Sequence, residues 1–240
     1  MAPVTTTTWR KMCNDLAAAT NTTYLGKFKT SAQLPEITWV ASANGTVAAA
    51  ASDASDFDKA LEKHNADAGK NPKPDPPNAM VFTAVGTFSR NKFYFGLGAS
   101  FAGPLNFVKK ATEIKLGAQI ESPGLVSFDQ DWDNVLKNLQ AIMSSHAKEG
   151  GARRGLLIDA PNEPRRIRVR HVLFEPRNAN KDDDGSDDVP EEFTLAHWPD
   201  GGNTKCREAL DAIIKAGSHD VRPLPAFDLS GELIKPVEYI

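Results

Sequence analysis

The sequence predicts an α+β fold: a twisted, mostly antiparallel sheet with several packed helices. Three observations point to it. Helical and extended segments are grouped along the chain rather than strictly alternating, which argues against a parallel βαβ sheet. Residues 92–101 and 111–120 alternate large apolar with small or polar side chains, the period of a strand. Residues 131–147 repeat apolar side chains at helical spacing. The chain has 240 residues, 40% hydrophobic and 25% charged, enough to bury a sizeable core. It reads as one domain spanning 1–240.

The first element is a short basic helix. Trp9, Met12, Cys13 and Leu16 share one face, while Arg10 and Lys11 project elsewhere. The segments "YLGKFKTSAQL" and "EITWVAS" read as two strands, followed by the turn signal Asn44-Gly45. "SDFDKALEKHNA" reads as a helix capped by Ser55 or Asp56, with Phe57, Ala60, Leu61 and His64 on one face. Residues 71–78, "NPKPDPPN", lose backbone donors to four prolines and read as an extended linker between helix-bearing and strand-rich parts.

Three extended segments follow, at 80–89, 92–101 and 111–120. In the second, Phe93, Phe95, Leu97, Ala99 and Phe101 share a face opposite Tyr94, Gly96, Gly98 and Ser100. In the third, Thr112, Ile114, Leu116, Ala118 and Ile120 oppose Glu113, Lys115, Gly117 and Gln119. The long helix places Trp132, Val135, Leu136, Leu139, Ile142, Met143 and His146 in one stripe, with Asp129 or Asp131 to cap its start and Gly150 or Gly151 to end it. "RRGLLIDA", the turn "PNEP" and "RRIRVRHVLF" form a hairpin, with Arg166, Arg168 and Arg170 on one face of its second strand and Ile167, Val169 and Leu173 on the other. The acidic stretch within 178–192 is too polar to pack and reads as a mobile loop. "FTLAHW" reads as a return strand. A last helix over 205–216 carries Cys206, Ala209, Leu210 and Ile213, with Gly217 past its end, and a proline-bearing tail is expected to run extended over the surface.

Catalytic patterns are weak. "GLGAS" fails as a dinucleotide loop, because Phe101 stands where a third glycine belongs and no helix follows. The five histidines lack metal-ligand spacing, and the aspartates at 182–188 match no calcium loop, so no cofactor or metal is expected. Cys13 and Cys206 lie on apolar helix faces and read as buried free thiols in a reducing compartment. No secretory leader and no transmembrane helix are expected.

Charge is uneven although the net is only −3, a balance that predicts no nucleic-acid partner. Between 150 and 177 stand Arg153, Arg154, Arg165, Arg166, Arg168, Arg170 and Arg177 against three carboxylates. The first 29 residues hold Arg10, Lys11, Lys27 and Lys29 against Asp15. Arginine suits phosphate through its planar fork. Nucleic acid, anionic lipid headgroups and an acidic surface such as the protein's own loop all fit. Nucleic acid fits least, since the hairpin lacks interleaved exposed aromatics for stacking.

The order of elements resembles the pore-forming domain of the gasdermins, above all the compact gasdermin-like proteins of fungi that control regulated cell death on incompatible cell fusion. The resemblance covers most of the chain. It rests on "TWRKMCNDL", the early hairpin, the strand group 80–120, and "WDNVLKNLQAIM" running into "GLLIDAPNEPRRIRVRHVLF". It implies a non-enzymatic protein that is cytoplasmic when soluble. When active it binds acidic phospholipid at the plasma membrane, oligomerises with itself or a related chain, and inserts two hairpin regions, here 92–120 and 155–198. The lipid-binding residues would be Arg10, Lys11, Lys27, Lys29, Arg153, Arg154, Arg165, Arg166, Arg168 and Arg170. The inserting side chains would be Phe93, Phe95, Leu97, Phe101, Ile114, Leu116 and Ile120. Activation by a partner fits better than proteolysis, because the chain has no room for an inhibitory domain. In the soluble form the apolar strand faces need a covering layer, for which the 131–147 helix is available. A structural or capsid-like assembly protein is the alternative reading, and an enzyme of unrecognised type the third.

Overall fold

The computed structural model describes residues 5–42, 45–67, 72–96, 110–148, 155–177, 190–198, 202–222, 224–228 and 232–238. The fold is α+β, as expected. The chain divides into two compact units, each built from two stretches: residues 1–87 with 121–167, and 88–120 with 168–240. From residue 72 the proline-rich stretch has no regular secondary structure, and it falls within the first unit.

The first unit begins with α1 (Thr6–Ala18), whose start is capped by the Thr5 hydroxyl accepting from the Thr8 amide. Cys13 is buried on the predicted face, with Trp9 and Leu16 packed beside it. The predicted first strand shrinks to β1 (Thr23–Tyr24), which pairs in parallel with β4 (Phe82–Thr83). After Tyr24 the chain turns in two 3-10 helices, Leu25–Lys27 and Ser31–Gln33. The early hairpin is therefore displaced by one element. It joins β2 (Ile37–Ser42) to β3 (Gly45–Ala50), in register from Ile37↔Ala50 to Ser42↔Gly45. Gly45 has φ of +127°, a backbone that glycine alone adopts freely.

Helix α2 (Ala51–Ala66) starts directly from β3, earlier than expected, so Ser55 and Asp56 lie inside it and its cap position is Ala50. Ala54 meets Val40 and Ala49 in a small cluster with Val47 and Phe57. Helix α3 (Val126–Lys148) also starts early, placing Asp129 in its first turn and not at its cap. Its stripe is buried as predicted: Trp132, Val135, Leu136, Leu139 and Ile142. The expected glycine stop lies outside the described residues.

Strand β5 (Thr87–Tyr94) opens the second unit, and β6 (Lys115–Glu121) follows a 3-10 turn at Ala111–Glu113. They belong to a sheet of order β5-β6-β8-β7, with β7 (Leu157–Ile158) and β8 (Arg166–Val172) antiparallel. The predicted arginine hairpin is thus present, with Asn162 at φ +63° in its turn. Strand β9 (Phe174–Pro176) pairs antiparallel with β10 (His219–Val221). The segment 193–198 is not a strand. Two 3-10 turns, Glu191–Phe193 and Leu195–His197, replace it, because backbone amides close onto carbonyls three residues back and the Trp198 indole donates to the Phe193 carbonyl at 3.0 Å. Helix α4 (Thr204–Ala216) is as expected: Asn203 caps the Cys206 amide, and Gly217 ends it at φ +55°.

The tail does not lie loosely on the surface. Leu224, Ala226 and Ile234 pack on the core, Pro236 is buried, and Phe227 bridges Leu233. The core of this unit joins Ile114, Leu116 and Ala118 to Leu173, Phe174, Leu195, Trp198, Cys206, Leu210 and Ile213.

Candidate functional site

The basic N-terminal group does not act as one patch. Arg10 turns inward: its guanidinium pairs with Asp131 at 3.3 Å and stands 4.5 Å over the Phe128 ring. Lys27 donates to the Ala17 carbonyl at the end of α1, where the helix dipole favours a cation. Lys11 and Lys29 are exposed and form no ion pair among the described residues. The geometry of Lys27 and Lys29 comes from the turns that replaced the predicted strand. Asn134 on α3 donates to the Gly26 carbonyl at 3.1 Å. One turn on, Asn138 spends its amide on two carbonyls, Leu25 at 2.9 Å and Phe28 at 2.8 Å. Both asparagines are buried. In this stretch the carbonyls of Leu25, Gly26 and Phe28 meet side-chain amides of α3 where the expected strand would have met a neighbouring strand.

Tyr24 completes the arrangement. Its hydroxyl donates to the Cys13 sulfur at 3.2 Å, and burial, then this hydrogen bond, pushes its acidity far below that of an ordinary phenol. Gly26 packs so closely that an added Cβ would lie 2.5 Å from the Tyr24 oxygen.

The arginine hairpin divides in the same way. Arg165 pairs with Asp159 and donates to Gln140. Arg166 is only 14% exposed and held between Glu121 and Glu163, at 3.3 and 2.7 Å. Arg168 and Arg170 form no ion pair among the described residues, and the Arg170 stem lies along Gly117 on the polar face of β6. Elsewhere in the second unit Arg177 is matched by Asp220, Arg222 by Glu175 and Lys235 by Glu192. The Glu192 carboxyl is held below its usual range, first by its own backbone N–H and then by Lys235. Arg153 and Arg154 lie outside the described residues.

Of the apolar strand residues, Phe95, Ile114 and Leu116 are buried, Phe93 and Ile120 are half-buried, and Leu97 and Phe101 lie outside the described residues. The Phe93 and Phe95 rings lie 4.3 Å apart at a tilt of 44°, and half-exposed Phe88 meets both edge-on. In the second unit they pack in one cluster with α4 and the C-terminal segments.

Sequence reasoning missed Asn134 and Asn138. The available signal was their spacing: two amides four residues apart, with Asn138 one turn before Ile142 on a buried arc. Among the described residues no cluster of His, Cys, Asp or Glu suits a metal ion. Cys13 and Cys206 are free and buried. No helix among the described residues is long and apolar enough to cross a membrane. No family model matches the chain, and no curated protein or solved structure matches it either.

Proposed function

We propose that this chain is a gasdermin-like pore-forming protein. In this reading it binds acidic phospholipid, oligomerises, and inserts β-hairpins that permeabilise the plasma membrane and cause regulated cell death. One observation carries the reading. The neighbouring strands β5 and β6, with the residues flanking them, place Phe93, Phe95, Ile114, Leu116 and Ala118 in one apolar cluster with an amphipathic helix and the chain after it. The opposite face carries exposed Tyr94 and Lys115 and half-buried Gly117 and Gln119.

Displacing that helix and chain offers the same residues to lipid without unfolding the strands. Strand β6 has seven residues, shorter than the roughly ten needed to span a bilayer, so this is the soluble state in the proposal. Backbone groups in hydrocarbon need partners, so insertion demands a closed ring of chains. Of the predicted basic residues, Lys11, Lys27, Lys29, Arg168 and Arg170 form no ion pair among the described residues and are the groups available to phosphate. The reading excludes enzymatic turnover and needs no cofactor.

The test is dye release from liposomes with and without phosphatidylserine, alone and with extract of the source cells to supply an activating partner. Release restricted to acidic liposomes is expected. Neither release nor binding under either condition rejects the reading.

A further inference from the structure

We infer that Asn134 and Asn138 are positioning residues for anion contact: buried themselves, they fix the turn that presents Lys27 and Lys29. The inference rests on the lipid reading above for its ligand, and on hydrogen bonds alone for its geometry. Two helices converge on residues 24–29. From α3, the two amides take the carbonyls of Leu25, Gly26 and Phe28. From α1, Cys13 accepts from Tyr24 and the Ala17 carbonyl accepts from Lys27. Gly26 leaves no room for a side chain against Tyr24.

Asn138 shows what the site selects. Both N–H groups of its amide are used, and its own oxygen, though buried, has no hydrogen-bond partner among the described residues. A residue serving only to fill space would not carry a buried, unmatched oxygen, because an apolar side chain of similar size avoids that penalty. The residue is there for its two donors. With the carbonyls turned inward to α3, the lysine side chains on either side of Phe28 are exposed, and the Lys27 ammonium stands 5.3 Å over the Phe28 ring. A turn already fixed in this shape loses less freedom on meeting an anionic surface than a loose one would.

The experiment compares Asn138→Leu and the milder Asn134→Ala with Val40→Ala, a core truncation in the same unit away from the turn. Cosedimentation with phosphatidylcholine vesicles, with and without phosphatidylserine, reads binding; hydrogen exchange reads the amides of residues 25–29. The expected result is a loss of about tenfold in phosphatidylserine-dependent affinity for Asn138→Leu, matching Lys27→Ala combined with Lys29→Ala, against less than about twofold for Val40→Ala. Exchange at 25–29 should rise in the asparagine variants only. Equal losses in the asparagine and Val40 variants, or unchanged exchange at 25–29, overturn the inference. If Asn138→Leu does not fold, Asn134→Ala, which removes one bond, carries the same comparison. A wild-type protein that ignores phosphatidylserine rejects the lipid reading, while the exchange measurement still decides whether the asparagines hold the turn.

Discussion

The two units solve one problem by different means. Each contains a segment that reads as a strand in the sequence, 24–34 in the first unit and 193–198 in the second, but that carries 3-10 turns in the fold. In the first, the irregular backbone is held from outside by directed donors on α3. In the second, it is held mainly by burial. Phe193, Leu195 and Trp198 enter an apolar core with Leu210 and Ile213, and Arg207 adds bonds to the Leu195 and Trp198 carbonyls. Directed bonds fix a particular shape and are sensitive to single atoms. Burial tolerates exchange of atoms but not loss of volume.

That contrast can be broken by experiment. Leu210→Ala, at a fully buried position of the second core, should cost about 2–5 kcal/mol in a urea melt followed by circular dichroism. A smaller loss would mean the core collapses around the gap. Asn138→Ala should cost about 2 kcal/mol, since two carbonyls lose their donor, although little volume is removed. If it costs no more than an exposed substitution, the directed-bond account of the first unit fails.

The arginines sharpen the contrast in function. Arg168→Glu with Arg170→Glu should weaken binding to acidic vesicles by about tenfold with little change in stability. Arg166→Glu should chiefly destabilise, because it sets a third carboxylate between Glu121 and Glu163. The same binding loss from both changes would dissolve the distinction between matched and unmatched arginines.

The smallest effect concerns pH. The Tyr24 phenol is raised in the folded state, so its contribution is fully present below the unfolded value of about 10 and is lost progressively as pH rises from there toward the folded value. Tyr24→Phe should cost about 1 kcal/mol at neutral pH and lose this alkaline step. An unchanged step in the variant would assign it to another group.

Elements whose stability is local were legible from the chain. The stripes of α1, α3 and α4, the Gly217 signal, and the buried face of β6 follow from spacing and cap chemistry. The failures share a cause. At 24–34 and 193–198 the residues suit a strand, but the backbone partners are side chains or turns rather than a neighbouring strand, and one segment's sequence does not name its partner. The early start of α2 reflects β3 feeding straight into it, with no side-chain cap to mark the junction. The arginine cluster was visible as charge. Its division into matched and unmatched members depended on Glu121, 45 positions from Arg166 in sequence.

The four tryptophans divide unevenly: Trp9, Trp39 and Trp132 belong to the first unit, and Trp198 alone to the second. Trp198 is 1% exposed, with its indole bonded to a carbonyl, whereas Trp39 bonds the Ser145 hydroxyl and lies 4.4 Å from the His146 ring. The chain therefore contains its own optical label. With the other three replaced by phenylalanine, emission from Trp198 follows the second unit alone, and the moment α4 leaves the strand face becomes a change in colour that a stopped-flow instrument can time.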